Sequence, residues 1–238
     1  MASVLYLKEC ASTNDEIESF LLYGQSETQA ICTFNQTKGK GQYGNSWESP
    51  GNLNVAYSLA IPSEKIKVRG NLLNFHTAII LRDFLANLTK TEAAIKWPND
   101  LIIKNKKVSG ILIEKKTINE KSYFIIGIGL NVLQENFENL PKAGSLLTQT
   151  GIQFNLEDLT NQLHEFILNH ISEEITDENL LAKLNVNLFR KDLISVFESN
   201  RIRQNGIIKN VDEEGFLWVE LENEGLKRFF HKEIELLY

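Results

Sequence analysis

The amino-acid sequence predicts an α+β fold, in which helices flank a mixed or antiparallel sheet and a small C-terminal β-barrel follows. Strand-like segments succeed one another between residues 93 and 132 without an intervening helix, which indicates hairpins and not regular β–α alternation. The segments 71–88 and 156–171 carry apolar residues at helical spacing. From residue 199 onward, short strand-like runs alternate with Asp, Asn and Gly turns, which is typical of a small barrel.

The individual elements follow from composition and spacing. A strand opens the chain, and Ser12-Thr13-Asn14 then supplies an N-cap for a first helix with Asp15 and Glu16 in its first turn. The remaining predicted strands are 30–34, 54–61, 93–97, 100–104, 108–116 and 123–132, with turns at Asn105-Lys106 and near Asn119, and the remaining predicted helices are 71–88, 156–171 and Asp177–Phe197. We expect two domains, a catalytic domain at residues 1–198 and a barrel at residues 199–238.

Composition excludes several classes of protein. Hydrophobic residues make up 42% of the 238, which is enough for a packed core. The 25 basic and 31 acidic residues give a net charge of −6, which argues against a nonspecific nucleic-acid binder. Cys10 and Cys32 form no C-x-x-C motif, and no signal peptide or membrane-length apolar run is evident. We therefore expect a cytoplasmic protein with reduced thiols, no metal-binding cysteine cluster and no membrane contact.

The segment Gly39–Gly44 has the pattern G-x-G-x-x-G. A dinucleotide fingerprint would require a helix after the glycines, and a strand follows instead. A kinase loop would require a D-F-G motif, which the sequence lacks. The neighbouring Gln36, Lys38 and Lys40 favour an anion-binding flap, and the alternative is a plain glycine-rich turn.

A second candidate site lies in the segment KWPND…KKVSGILIE. Pro98 ends a strand, and Asp100 and Lys107 are expected to face each other across a hairpin. A carboxylate and a lysine held in this way can bind Mg²⁺ and stabilise a phosphoryl transition state. The alternative is an ordinary cross-strand ion pair.

KWPND…KKVSGILIE, together with STN at 12–14, QTKGKGQYGNSW at 36–47 and GIGLNV at 127–132, resembles the biotin protein ligases. The resemblance covers most of the chain in the family's order. It implies a biotin/lipoate ligase-like catalytic domain with an SH3-like barrel. It also implies a two-step reaction, in which biotin and MgATP give biotinyl-5′-AMP and pyrophosphate, and a lysine of an acceptor protein then takes the biotin.

The resemblance implies a role for each matching residue. Lys107, Asp100 and Lys40 are the implied catalytic residues, with Asp100 beside the Mg²⁺. Biotin and the adenylate are the two implied ligands. The implied biotin-binding residues are Ser12, Thr13, Gln36, Gly39, Lys40, Lys107 and Gly110, and the implied ATP- or adenylate-binding residues are Lys40, Gln42, Trp47, Lys96, Lys107 and Asn131.

Each of these roles has a structural alternative. Ser12 or Thr13 can cap the first helix, Trp47 can be a core aromatic, and Gly127 and Gly129 can simply relieve packing in a strand.

The sequence also departs from the family pattern. The family loop is usually G-R-G-R, whereas Lys40 and Gln42 stand here, so a bidentate phosphate contact is lost. Lys232 stands where the family often has glycine before Glu233-Ile234.

We expect a monofunctional ligase without a DNA-binding domain, acting on a biotin carboxyl carrier domain with ATP and Mg²⁺ as co-substrates and no tightly bound prosthetic group. Family members are monomers or dimers, so a homodimer is one of two expected states. The alternatives are a lipoate–protein ligase, a non-catalytic biotin-binding regulator, and nucleic-acid binding through the barrel, the last resting on fold analogy alone.

Overall fold

The computed structural model describes residues 3–23 and 28–238 and contains a seven-stranded mixed sheet followed by a smaller antiparallel sheet. In chain order the elements are β1 (Val4–Leu7), α1 (Thr13–Tyr23), β2 (Gln29–Thr33), β3 (Gly39–Lys40), β4 (Ser46–Trp47), β5 (Asn54–Pro62), α2 (Leu73–Thr89), β6 (Ala94–Lys96), β7 (Asp100–Ile103), β8 (Lys106–Ile118), β9 (Lys121–Asn131), α3 (Leu146–Thr150), α4 (Leu156–His170), α5 (Asp177–Val186), β10 (Ile194–Ser199), β11 (Ile202–Val211), β12 (Leu217–Leu221), β13 (Gly225–Phe229) and β14 (Glu235–Leu237). The large sheet has the order β1-β2-β5-β9-β8-β7-β6, with β1 parallel to β2 and the other neighbours antiparallel. The predicted α+β fold with a mixed sheet is confirmed.

The two faces of the large sheet are covered unequally. On one face, apolar side chains such as Leu59 pack with Leu81 of α2 and Leu163 of α4 in the main core. The other face carries a smaller cluster beneath α1, which includes Ile17 and Ile125. Since alternate residues of a strand point to opposite faces, both clusters draw on the same strands. Helix α1 covers only part of its face, and the central strands beside its N-terminus remain accessible.

Local signals explain where the helices begin. Asn155 caps α4, because its Oδ1 accepts hydrogen bonds from the backbone N–H groups of Glu157 and Asp158 at 2.9 and 3.0 Å. Thr176 caps α5 in the same way through Asn179. These caps satisfy backbone donors that have no partner within the helix.

Two-residue turns with left-handed backbones join three hairpins. Lys104-Asn105 connects β7 to β8 with φ values of 46° and 64°, and Asn119-Glu120 connects β8 to β9 with 47° and 65°. Asn200-Arg201 connects β10 to β11 with 51° and 66°. Positive φ at both central residues matches the right-handed twist of paired strands, which is why such turns close hairpins. The first turn lies one residue before the predicted Asn105-Lys106 position.

The C-terminal module is a five-stranded antiparallel sheet in the order β13-β12-β11-β10-β14. This sheet is the small β module that the sequence predicts after the catalytic domain. β10 belongs to it, because β10 pairs with both β11 and β14. We therefore propose that the boundary between the domains lies before Ile194, whereas the expected division at residues 198 and 199 falls at the end of β10.

The predicted helix Asp177–Phe197 is wrong in its C-terminal half. Helix α5 ends at Val186, and residues 194–199 form a strand. Arg190 and Asp192 have φ values of 60° and 58°, which a continuous right-handed helix excludes. The run of apolar residues after them therefore lies in a strand and not on a helical stripe.

A buried polar pair connects the sheet to α4 and gives a stability prediction. Tyr57 is fully buried, and its Oη lies 2.7 Å from His164 Nδ1. Tyr57→Phe is expected to lower the free energy of unfolding by about 1–3 kcal/mol, because it leaves a buried imidazole nitrogen without this partner. Tyr6→Phe is the matched control, since Tyr6 Oη donates to Asn161 at an exposed position. Urea unfolding measures both variants, and equal losses would contradict the assignment.

Candidate active site

A cavity of about 210 Å³ opens on the α1 side of the large sheet. Small residues line its floor. Ala56 on β5 lies opposite Gly129 on β9, Gly129 lies opposite Gly110 on β8, and Gly127 lies two residues before Gly129. Positions two apart in a strand share a face, so these residues form one trough.

Neutral hydrogen-bonding groups at the N-terminus of α1 line one part of this cavity. Gln36 Oε1 accepts hydrogen bonds from the backbone N–H of Thr13 at 2.8 Å and from its hydroxyl at 3.2 Å. Ser58 Oγ lies 2.7 Å from Asn14 Oδ1 and 2.8 Å from Thr13 Oγ1. Ser12 is buried beside them. Because the Gln36 oxygen is used on Thr13, its NH₂ group is the part that can face a ligand.

Two positions in the floor require glycine, because neighbouring side chains approach their backbone too closely for a Cβ atom. A Cβ at Gly127 would lie 2.2 Å from Asn14 Oδ1, and a Cβ at Gly129 would lie 2.3 Å from Trp47 Cε2. Neither neighbour is the tip of a long flexible chain. Because Gly127 and Gly129 have no Cβ, Asn14 and Trp47 have room to lie against them at the cavity. This contact explains the two glycines better than the interpretation that they relieve packing within the strand.

A second part of the cavity wall is cationic. Lys107 Nζ lies 2.6 Å from Asp100 Oδ1, and Lys96 Nζ lies 3.9 Å from Asp100 Oδ2. Lys107 and Asp100 form an ion pair, but the angles at this contact are not those of a hydrogen bond. Asp100 Oδ1 therefore accepts no hydrogen bond from the described residues. Burial lowers the pKa of Lys96, and the nearby Lys107 charge lowers it further, while Asp100 opposes both. Two ammonium groups against one carboxylate leave this part of the wall able to accept an anion.

The strand register explains how Asp100 and Lys107 meet. Asp100 lies opposite Gly110, and Lys107 lies opposite Ile102, because the β7–β8 pairing shifts between Leu101 and Ile102. The two side chains are thus not direct cross-strand partners, as the hairpin argument assumed. The irregularity turns them towards each other, which is a known effect of bulges near functional sites.

The segment 39–47, called here the glycine loop, folds over the cavity as a small hairpin in which β3 pairs with β4. Lys40 Nζ lies 2.6 Å from Asp15 Oδ2, and this bonding to Asp15 raises the pKa of Lys40. Gln42 Nε2 approaches the backbone oxygen of Ile111 at 3.5 Å. Tyr43 at the tip has a left-handed φ of 55°. The ion pair with Asp15 thus holds the loop against the first turn of α1.

A second cavity of about 320 Å³ adjoins the first, and Ser46, Trp47 and Lys107 line both. Asn131 lies in its wall and donates a hydrogen bond from Nδ2 to Gly144 O at 3.0 Å. Lys107 Nζ lies 5.4 Å from the centre of the Trp47 ring. The rest of the wall mixes apolar and amide side chains, namely Gln134, Phe137, Asn139, Leu140, Pro141 and Ala143, together with Glu48 and Lys142.

The structure brings nearly all the predicted site residues together. Those that line the first cavity are Ser12, Thr13, Gln36, Lys40, Gln42, Trp47, Lys96, Asp100, Lys107 and Gly110. Asn131 lines the second cavity, and Gly39 lies in β3 beside Gln36 and Trp47 without lining either. The cavity residues that motif reasoning missed include the polar side chains Asn14, Asn45, Ser46, Asn99 and His231 and the glycines Gly127 and Gly129. All of these except His231 stand inside motifs already quoted, and only the three-dimensional contacts show their place.

Two negative findings apply to residues 3–23 and 28–238. In that part of the chain, no group of three His, Cys, Asp or Glu side chains lies close enough to hold a metal ion. Nor does any helix there combine the length and apolar character that crossing a membrane requires.

Comparison with known proteins identifies the family. The model of the biotin/lipoate A/B protein ligase family matches residues 6–131, more than half of the chain. The chain belongs to this family. It is therefore a protein ligase by descent, and the resemblance found in its motifs is confirmed.

Named relatives of this ligase include ligases from several bacteria. The bifunctional ligase/repressor BirA of Bacillus subtilis is 24% identical over 98% of this chain and 74% of its own length. The biotin–[acetyl-CoA-carboxylase] ligase of Mycobacterium tuberculosis is 30% identical over 47% of this chain and 42% of its own. The biotin protein ligase of Aquifex aeolicus, solved with biotin and ATP, superimposes with a TM-score of 0.80 at 24% identity, covering 100% of this chain and 99% of that one. The last likeness confirms the fold over both modules.

Proposed function

We propose that this ligase is a biotin protein ligase. In the first step an oxygen of the biotin carboxylate attacks the α-phosphorus of ATP, a new acyl–phosphate bond forms, and pyrophosphate leaves. In the second step an acceptor lysine amine attacks the acyl carbon, an amide forms, AMP leaves, and the amine loses a proton. The observation that carries the proposal is the pair of adjoining cavities that share Lys107 and Trp47.

The first cavity suits a molecule with a neutral polar head and an anionic tail. The groups around Thr13, Asn14 and Gln36 offer both donors and acceptors, which a urea-type ring requires. Lys96 and Lys107 offer positive charge for a carboxylate. The uncharged trough between them accepts an aliphatic chain, since its floor carries no large side chain.

The second cavity suits an adenosine group. The Trp47 indole offers a flat apolar face, and Asn131 keeps Oδ1 as an acceptor for an exocyclic amine because its Nδ2 is used on Gly144. A nucleotide bound there and an acid bound in the first cavity would meet beside Lys107. Holding two anions in reactive geometry, with fixed positive charge between them, is the main demand of adenylate formation.

The residues fit Mg²⁺ only as an ion that also binds the triphosphate. Among the described residues, Asp100 is the one carboxylate that lines the first cavity. Its Oδ1 accepts no hydrogen bond from them and lies 2.6 Å from Lys107 Nζ, so a cation ligated there would take the place of that ion pair. Mg²⁺ is commonly held by one or two carboxylates together with substrate phosphates. When bound, the ion would neutralise phosphate charge.

The relatives support biotin as the acid and a carrier domain as the acceptor. One relative is named as a biotin–[acetyl-CoA-carboxylase] ligase, and solved biotin protein ligases of similar fold hold biotin with ATP or biotinyl-5-AMP. We infer that the acceptor is the biotin carboxyl carrier domain of a biotin-dependent carboxylase.

The test is release of pyrophosphate by the full chain with ATP, Mg²⁺ and either biotin or lipoate, followed by transfer of labelled biotin to a carrier domain. We expect release with biotin and none above background with lipoate. Biotin methyl ester is the matched control, because it keeps the ring and chain but removes the attacking carboxylate, and it should give no release. Turnover of lipoate alone would show a lipoate ligase, and binding of biotin without an adenylate would show a non-catalytic regulator.

A further inference from the structure

A loop of the C-terminal module, residues 230–234, reaches the tip of the glycine loop. The His231 ring lies over Tyr43, with the ring centres 4.5 Å apart and the planes 31° from parallel. Lys232 Nζ donates a hydrogen bond to Tyr43 O at 3.1 Å and lies 5.2 Å from the centre of its ring. Tyr43 is thus contacted by two consecutive side chains from the other module.

Backbone conformation on both sides of this contact indicates that it is held in place. Tyr43 has φ 55° and Lys232 has φ 72°, so both adopt the left-handed region that favours glycine. Non-glycine residues persist there only when their surroundings compensate for the cost. Since Tyr43 is 56% exposed, core packing does not supply that compensation, and the contacts with His231 and Lys232 do.

The same loop also reaches the cavity. His231 lines the first cavity and packs edge-on against Trp97, with ring centres 5.8 Å apart. Its Nδ1 is buried and has no hydrogen-bond partner within residues 3–23 and 28–238. Burial lowers the pKa of His231, and the charges of Lys96 and Lys232 lower it further, while Asp100 opposes them.

We propose that the 230–234 loop is a latch that holds the glycine loop closed over the first cavity, with Lys232 and His231 as positioning residues. The proposal rests on the proposed adenylate-forming function and assigns the C-terminal module a part in it. The latch keeps the glycine loop ordered, so substrate need not supply the full ordering free energy. It also slows escape of the adenylate and entry of water, since both require the loop to open.

The decisive variant is Lys232→Gly. Glycine suits the left-handed φ, so the variant is expected to fold with unchanged Tm while losing the hydrogen bond and the ring contact. Lys90→Gly is the matched control, because Lys90 is an exposed lysine with φ 51° at the end of α2 and lines neither cavity. Lys232→Arg retains a cation and a donor and should restore most of the wild-type behaviour.

Two readouts separate the latch from the ligase activity. In protein without ligand, trypsin cleavage after Lys38 and Lys40, followed by mass spectrometry, is expected to be about tenfold faster in Lys232→Gly than in wild type or Lys90→Gly. With biotin and MgATP, the adenylate is expected to leave Lys232→Gly about tenfold faster and KM for biotin to rise, with a smaller change in kcat.

A second variant keeps the result interpretable if Lys232→Gly is poorly folded. Tyr43→Ala removes the ring that both latch residues contact, and on its own it should speed both trypsin cleavage of the glycine loop and escape of the adenylate. Wild-type cleavage rates in both variants would overturn the latch, and so would faster cleavage with unchanged adenylate retention. If wild type forms no adenylate, the proposed function fails, while the cleavage assay, which uses no ligand, still reports on the contact itself.

Discussion

Lys107→Ala is expected to slow biotinyl-adenylate formation by about 10²–10³-fold. Lys107 lines both cavities, so its ammonium group is the positive charge nearest the point where the two proposed substrates meet. Negative charge on the oxygens around phosphorus is redistributed as pyrophosphate leaves, and a cation fixed beforehand stabilises that state without reorganisation. Asp100 and the face of Trp47 hold this cation in position.

Thermal stability is expected to change much less in this variant. The Lys107 side chain is 32% exposed and that of Asp100 is 13% exposed, but Lys96 Nζ still lies 3.9 Å from Asp100 in the variant, so we expect a loss of about 1 kcal/mol. Lys115→Ala is the matched control: Lys115 lies on the same strand with its Nζ 5.6 Å from the Phe124 ring centre, but it lines neither cavity. Single-turnover rates and melting curves measure both effects. A large drop in Tm with a proportionate drop in rate would instead mean that the Asp100–Lys107 pair is only structural.

Gly129→Ala should nearly abolish nucleotide binding and also destabilise the fold. The new Cβ would lie 2.3 Å from Cε2 and 2.7 Å from Cζ2 and Nε1 of Trp47, so the indole must move. That indole lines both cavities, and its displacement removes the flat face proposed for adenine. We expect about 10²-fold weaker ATP binding, the equivalent of a few kcal/mol, and a loss of about 1–3 kcal/mol in unfolding free energy from overpacking.

Gly70→Ala is the control for this substitution. At Gly70 the nearest atom to an added Cβ is Phe124 Cζ at 3.6 Å, an ordinary contact. Isothermal calorimetry with a non-hydrolysable ATP analogue measures binding, and denaturant unfolding measures stability. Unchanged ATP affinity in Gly129→Ala would show that Trp47 has no part in nucleotide binding.

Local patterns predicted most of the fold, because most elements combine a regular spacing of apolar residues with a capping or turn residue at their ends. The helix at 156–171 has an Asn cap and an apolar stripe, and the strands after residue 93 end at turn residues. The error at Asp177–Phe197 arose where apolar spacing continued past Val186 with no glycine or proline to stop it. The left-handed backbones of Arg190 and Asp192 prevent the helix from continuing there, and the residue types Arg and Asp do not by themselves predict such a conformation.

Motif resemblance located the site but not the orientation of its parts. Lys40 was expected to offset phosphate charge, and in the structure it pairs with Asp15 on α1. Asn131 was assigned to the adenylate, and it lies in the second cavity, which we propose for the adenosine group. His231 carries no motif signal, because its place at the cavity depends on how the C-terminal module packs against the glycine loop.

The contact between Lys232 and Tyr43 joins positions 189 residues apart in the sequence. On the ribosome, the strands and helix that form the first cavity emerge long before Lys232 is synthesised. A nascent chain can therefore fold its substrate trough while still lacking the contact that keeps a reactive anhydride enclosed. Under the latch proposal, retention of that intermediate begins only after Lys232 has been translated, so products truncated before Lys232 would release the intermediate before it reaches an acceptor.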